Sequence, residues 1–182
     1  MEKLAAKIYG EALFETAREV GKIDAILEEI GQISEVFSQN PDFDRLMRHP
    51  GIPRQEKLKA LENVFGGRIC GELMGFLEIV VQKERFGELP GAFGYFADSV
   101  KKLRKIGVAK VTAAAELTEE QKAVIKKRLL EITEYVDLEL HFDTDASLIG
   151  GLVIRIDDRV ADSSIRTKMN TMKEQLLKIQ LG

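Results

Sequence analysis

The apolar period changes once along this 182-residue chain, near Gly107. Before that point apolar residues recur every three or four positions; after it they alternate. No single regular element satisfies both periods, so the chain reads as an all-helical part joined to a part that contains sheet. In the first part Ile23, Ile26, Leu27, Ile30, Ile33 and Phe37 form one helical stripe. Asn40-Pro41 ends it, because the residue before a proline is pushed out of the helical region. A short helical turn is expected around Phe43–Met47. Pro50-Gly51-Ile52-Pro53 punctuates the chain, and Pro53 suits the first position of a new helix. That helix carries Leu58, Leu61, Val64 and Phe65 and stops at Gly66-Gly67. A helix over Ile69–Gln82 and a long one opened by Leu89-Pro90 follow. With Leu4–Val20 this makes about six helices on short connections, a helical bundle.

Beyond Gly107 the elements change. Val108–Ala113 reads as a strand. Thr118-Glu119-Glu120-Gln121 is a capping box, in which Thr118 accepts from the Gln121 amide and Gln121 reaches back. A helix follows with Val124, Ile125, Leu129 and Ile132 on one face. Val136, Leu138, Leu140 and Phe142 alternate with polar residues, as in a half-buried strand. Leu152–Ile156 is a further strand, Asp157-Asp158-Arg159 the turn of a hairpin, and Asp162 or Ser163 the cap of a last helix. Its stripe is Ile165, Met169, Met172, Leu176 and Ile179. The fold class is therefore α+β: residues 1–105 form a six-helix bundle and residues 106–182 a small α/β domain.

Few motifs carry chemistry. Gly66-Gly67 is followed by Arg68-Ile69-Cys70, so there is no phosphate loop, and no GxGxxG exists. His49, in a loop, and His141, on the polar side of a strand, lack catalytic partners in the sequence. Asp143, Asp145, Asp157, Asp158 and Asp162 do not have EF-hand spacing and suit turns and caps. One cysteine, Cys70, cannot close an internal disulfide, which fits a reducing compartment. Neither catalytic residue, metal nor cofactor is expected. The net charge of −3 argues against nucleic acid as a partner despite Lys101-Lys102-Leu103-Arg104-Lys105 and Lys126-Lys127-Arg128. The start carries no signal pattern, and no stretch reaches the roughly 20 apolar residues of a membrane span.

Two helices are apolar over too wide an arc. Leu4, Ala5, Ile8, Tyr9, Ala12, Leu13, Ala17 and Val20 sweep roughly 220° at the helical pitch. Leu73, Met74, Phe76, Leu77, Ile79, Val80 and Val81 are as broad. Such helices are either central in the bundle or face the core on one side and a partner on the other. A small residue such as Gly10 or Ala12 would let a partner helix come close.

Several segments, in order, resemble one family. They are Tyr9-Gly10-Glu11-Ala12-Leu13-Phe14 with Ala17; His49-Pro50-Gly51-Ile52-Pro53 with Lys57 and Phe65; and Phe76-Leu77 through Arg85 and Leu89. The most specific is Ser147-Leu148-Ile149-Gly150-Gly151 with Ile154, Asp158 and Asp162-Ser163-Ser164-Ile165. Together they resemble, end to end, the delta subunits of bacterial F-type ATP synthases, equivalent to the oligomycin-sensitivity-conferring protein. Gly10 stands where alanine is usual, Ser163 where glycine is common, and Met169 and Met172 where leucines are. The resemblance implies a non-catalytic stator subunit. Its helical domain would grip the amino-terminal segment of an alpha subunit, and its second domain the ends of the paired b subunits. It would sit on the cytoplasmic face of the bacterial plasma membrane, held there only through the complex. The family's head contact uses the first and fifth helices, which here points to Tyr9, Ala12, Leu13, Thr16, Ile79, Gln82 and Lys83. Gly150, Gly151, Asp162 and Ser164 are expected to build a turn and cap. The alternative is a helical adaptor for some other amphipathic helix.

Overall fold

The computed structural model describes the backbone of residues 2–180 and the side chains of residues 4–173. The fold is α+β. In chain order it comprises α1 (Glu2–Glu19), α2 (Ile23–Gln39), α3 (Pro41–Arg48), α4 (Arg54–Phe65), α5 (Gly71–Gln82), α6 (Leu89–Leu103), β1 (Ile106–Ala113), α7 (Glu119–Ile132), β2 (Asp137–Thr144), β3 (Leu152–Ile156), β4 (Arg159–Asp162) and α8 (Ile165–Gln180). Short 3₁₀ turns stand at Phe86–Glu88 and Ala146–Leu148. Two compact units result, divided between Val100 and Lys101. The last turn of α6 goes with the second unit, where Lys101 pairs with Glu139 at 2.6 Å.

The helical unit closes around one core. Leu13, Ile26, Ile33, Met47, Leu61, Leu73, Leu77 and Phe96 lose essentially all contact with water. Phe37 on α2 gathers three rings: it stacks on Phe43 and meets Phe65 and Phe86 edge to face. Such edge contacts contribute about 0.5–1.5 kcal/mol each beyond their buried area. Pro41 opens α3, where a missing amide hydrogen costs nothing. Pro53 lies one residue outside α4, in the cap position, rather than at its first helical position. Similarly, α5 starts at Gly71 and not at Ile69, because Cys70 is extended and its amide donates to the Glu29 carboxylate at 3.0 Å. That bond ties α2 to the start of α5.

Helices α1 and α6 meet through glycines. A Cβ at Gly10 would stand 2.7 Å from the Ala92 carbonyl oxygen and 2.8 Å from Tyr95 Cβ. One at Gly91 would stand 2.7 Å from Ala6 Cβ. Gly10 therefore serves the core contact with α6, not an outer face. Gly10→Ala sets a helix-propensity gain of about 1 kcal/mol against overpacking of about 1–3 kcal/mol. The obstructing atom is backbone and cannot rotate aside, so the overpacking wins. The urea midpoint of the variant is expected to fall, by about 1 kcal/mol in stability; a rise would show that the two helices part freely.

The second unit is a four-stranded sheet in the order β2-β1-β3-β4. β1 and β2 are parallel, joined across α7, and the other two pairings are antiparallel. Ala109 faces Leu140 on one neighbour and Ile156 on the other, and Val111 faces Phe142 and Ile154. This apolar face packs with Leu129 and Ile125 of α7. The capping box at the start of α7 is complete, with Gln121 N–H donating to Thr118 Oγ1 at 3.3 Å and Thr118 N–H to Gln121 Oε1 at 3.0 Å. The opposite face is charged: Lys110 pairs with Asp143, and His141 with Glu139.

Candidate functional site

The two broad helices meet different fates. α5 is enclosed: Leu73, Phe76, Leu77, Val80 and Val81 are all buried, and only Ile79, 52% exposed, breaks out. α1 is two-sided. Ala6, Gly10, Leu13 and Ala17 face the core, while Leu4 at 64% and Ile8 at 58% exposure, with Ala12, line the opposite side. At the helical pitch Leu4, Ile8 and Ala12 lie within about 80° of one another.

Tyr9 stands between these sides. It is half-buried, and its ring meets Phe76 of α5 at 6.3 Å, edge to face. Just past the end of α1, Lys22 donates to Glu72 near the start of α5 at 2.8 Å. Those two contacts show that α1 and α5 run in opposite directions. The Lys22 hydrogen bond holds the Glu72 carboxyl below its ordinary range and raises the lysine. Beside Ile79, a Cβ at Gly75 would meet nothing within 4 Å, so bare backbone borders the exposed isoleucine.

The residues singled out from the sequence divide accordingly. Ala12, Thr16, Ile79, Gln82 and Lys83 are exposed, and Tyr9 partly so. The Thr16 hydroxyl donates to the Ala12 carbonyl at 2.9 Å. Lys83 caps α5, its amide donating to the Ile79 carbonyl. Leu13 needs correction: it is 1% exposed and belongs to the core, so no partner reaches it. Leu4 and Ile8, not singled out from the sequence, are the exposed large apolar residues near the start of this helix. Their phase, opposite to Leu13 and Ala17 on the same helix, marked them as outward.

The other polar candidates have local work. His49 Nδ1 accepts from the Gly51 amide at 3.0 Å. Asp157 accepts from the Tyr135 hydroxyl, and Asp145 from the Ser147 amide. Burial pushes the Cys70 thiol up, away from a reactive thiolate. Lys101 and Lys126, one in each basic run, are engaged by Glu139 and Asp137. Among the described residues no three His, Cys, Asp or Glu side chains are grouped to hold a metal ion.

The glycine–serine signature forms a bonded corner. Gly151 has φ +82°, and Gly150 lies against Ile165. The Ser163 amide donates to the Leu152 carbonyl and the Ile165 amide to that of Gly150, each at 2.9 Å. The last helix is capped by Ser164, fully buried, whose oxygen accepts from the Thr167 amide, and not by Ser163. Asp162 braces the cap, accepting from the Ser164 amide at 2.8 Å and the Thr167 hydroxyl at 2.7 Å. These bonds, the Ser164 amide first, hold the Asp162 carboxyl below its ordinary 3.8. A carboxyl depressed by folding adds stability above its unfolded pKa and loses it as pH falls through the folded one. Asp162→Asn is therefore expected to melt lower at pH 6, with the gap closing below about 3.8. Melting curves from pH 6 to 3 check this; a gap independent of pH would exclude the charge. Ile165, Met169 and Met172 of α8 are exposed; Leu176 and Ile179 of the same expected stripe lie outside the described side chains.

The fold is shared with a chain of the cryo-EM structure of the Toxoplasma gondii mitochondrial ATP synthase hexamer. The TM-score is 0.69 at 18% identity, covering 94% of this chain and 97% of that one. A family model described as ATP synthase delta (OSCP) subunit matches residues 5–176, and the chain belongs to that family. The ATP synthase subunit delta of Lachnoclostridium phytofermentans is 46% identical over 182 residues, the full length of both chains. That of Azorhizobium caulinodans is 32% identical, over 94% of this chain and 92% of its own. No helix among the described residues is long and apolar enough to cross a membrane.

Proposed function

We propose that this chain is the non-catalytic stator subunit that joins the catalytic head to the peripheral stalk and resists rotor torque, on the cytoplasmic face of the membrane. Its helical unit binds the amino-terminal segment of an alpha subunit along α1 and α5. Its second unit holds the ends of the b-subunit pair, with Ile165, Met169 and Met172 as candidate contacts.

One observation carries the head-binding half: the exposed strip Leu4, Ile8 and Ala12 runs along the helix that packs on α5, whose exposed isoleucine is Ile79. An amphipathic helix laid between two helices is a recurring recognition mode. The docking residues are then Tyr9, Ala12, Thr16, Ile79, Gln82 and Lys83, with Leu4 and Ile8 replacing Leu13. Titration calorimetry of the full chain against a peptide from the amino terminus of the same organism's alpha subunit is the test. One-to-one binding is expected. No binding by the folded chain would overturn the alpha-facing assignment and leave an adaptor for another helix.

A further inference from the structure

The face along α1 and α5 is asymmetric in charge as well as apolar. Glu11, Glu15 and Glu19 begin beside the apolar strip, between Ile8 and Ala12, and continue past it toward the end of α1, all exposed. At the helical pitch they fall within about 100° of Leu4, Ile8 and Ala12, on the same outward side. No ion pair reaches any of the three among the described residues. Like charges four residues apart oppose one another on a helix; Lys7 and Arg18 stand at helical spacing from Glu11 and Glu15, but neither forms an ion pair with them among the described residues, so the row keeps its charge open to a partner. The other end of the face carries the opposite sign. Lys7 lies near the start of α1. Lys83 lies at the end of α5, which the antiparallel packing brings toward that same end. Neither lysine has an ion-pair partner among the described residues.

We propose that this face takes an amphipathic helix of fixed polarity, with its basic residues over Glu11, Glu15 and Glu19 and its acidic residues over Lys7 and Lys83. The inference rests on the docking reading above and adds the chemistry and direction of the occupant. Complementary charge around an apolar contact fixes register and rejects reversed partners.

The test compares the full chain with its Glu11→Gln, Glu15→Gln, Glu19→Gln triple variant, using the alpha-subunit peptide at about 50 and 300 mM salt. The triple variant is expected to bind about tenfold more weakly at low salt and to lose most of the salt dependence. It should also melt no lower than the parent, since the i, i+4 repulsion is gone. Glu15→Gln alone, the least disruptive change, should weaken binding about twofold. Equal affinities for parent and variants, with the parent binding, overturn the charge inference and leave the docking face. Failure of the parent to bind overturns the docking reading, and this inference with it.

Discussion

Ala12→Arg is expected to raise the Kd for the alpha-subunit peptide by roughly a hundredfold or more, a loss of about 3 kcal/mol, without unfolding the chain. Ala12 sits midway along the exposed strip, where a docked helix would cover it. An arginine there either stays under the partner, unpaired and stripped of water, or props the partner away from Tyr9 and Ile79. In the free chain the same side chain is harmless: it reaches water and has Glu15 three residues on. A basic partner adds repulsion to the steric conflict. Calorimetry reports the affinity and a melting curve reports the fold. Undiminished binding by a folded variant would place the partner elsewhere on the unit.

Gly151→Ala should cost the second unit about 3 kcal/mol. Two effects add. At φ +82° an alanine carries about 1–2 kcal/mol of left-handed strain. Its Cβ would also stand 2.5 Å from the Ser163 carbonyl oxygen and 3.0 Å from Ser164 Cα. Both atoms are backbone, so β3 and the start of α8 must separate, loosening the Ser163–Leu152 and Ile165–Gly150 hydrogen bonds. Gly67→Ala is the control, because Gly67 has φ +70° with nothing within 4 Å. It should cost only the backbone strain. Amide exchange at Ser163 and Ile165 reads the corner directly, and similar losses for the two variants would remove the close contact from the account.

Most of the fold was legible because the local signals agree with the packing. The Ile23–Phe37 stripe, the Thr118 capping box and the alternation of β2 each state their own geometry. Boundaries were less legible where a long-range contact sets them. Nothing near Ile69 shows that Glu29, on another helix, will bind the Cys70 amide and delay α5. The candidate site was legible in its helices but not in its rotation. The width of the α1 pattern announced two faces, yet Leu13 and Ile8 look alike until the neighbours are known. It took Gly10 against Ala92 and Tyr95 to fix which side faces inward. In α5 the same width meant burial, and only Ile79 emerges.

β1 follows α6 with only Arg104 and Lys105 between them, and it is one of two interior strands, laddered to β2 on one side and β3 on the other. A pull applied to the second unit lengthwise on β1 acts on both of its ladders at once. Hydrogen bonds in a ladder lie across the strand direction, so such a pull loads both ladders in shear. Their bonds must yield together; they cannot peel one at a time as in an edge strand lifted from its end. The mechanical anchor of this unit is thus the middle of its sheet, and its edge strands β2 and β4 are the ones a pull can peel away.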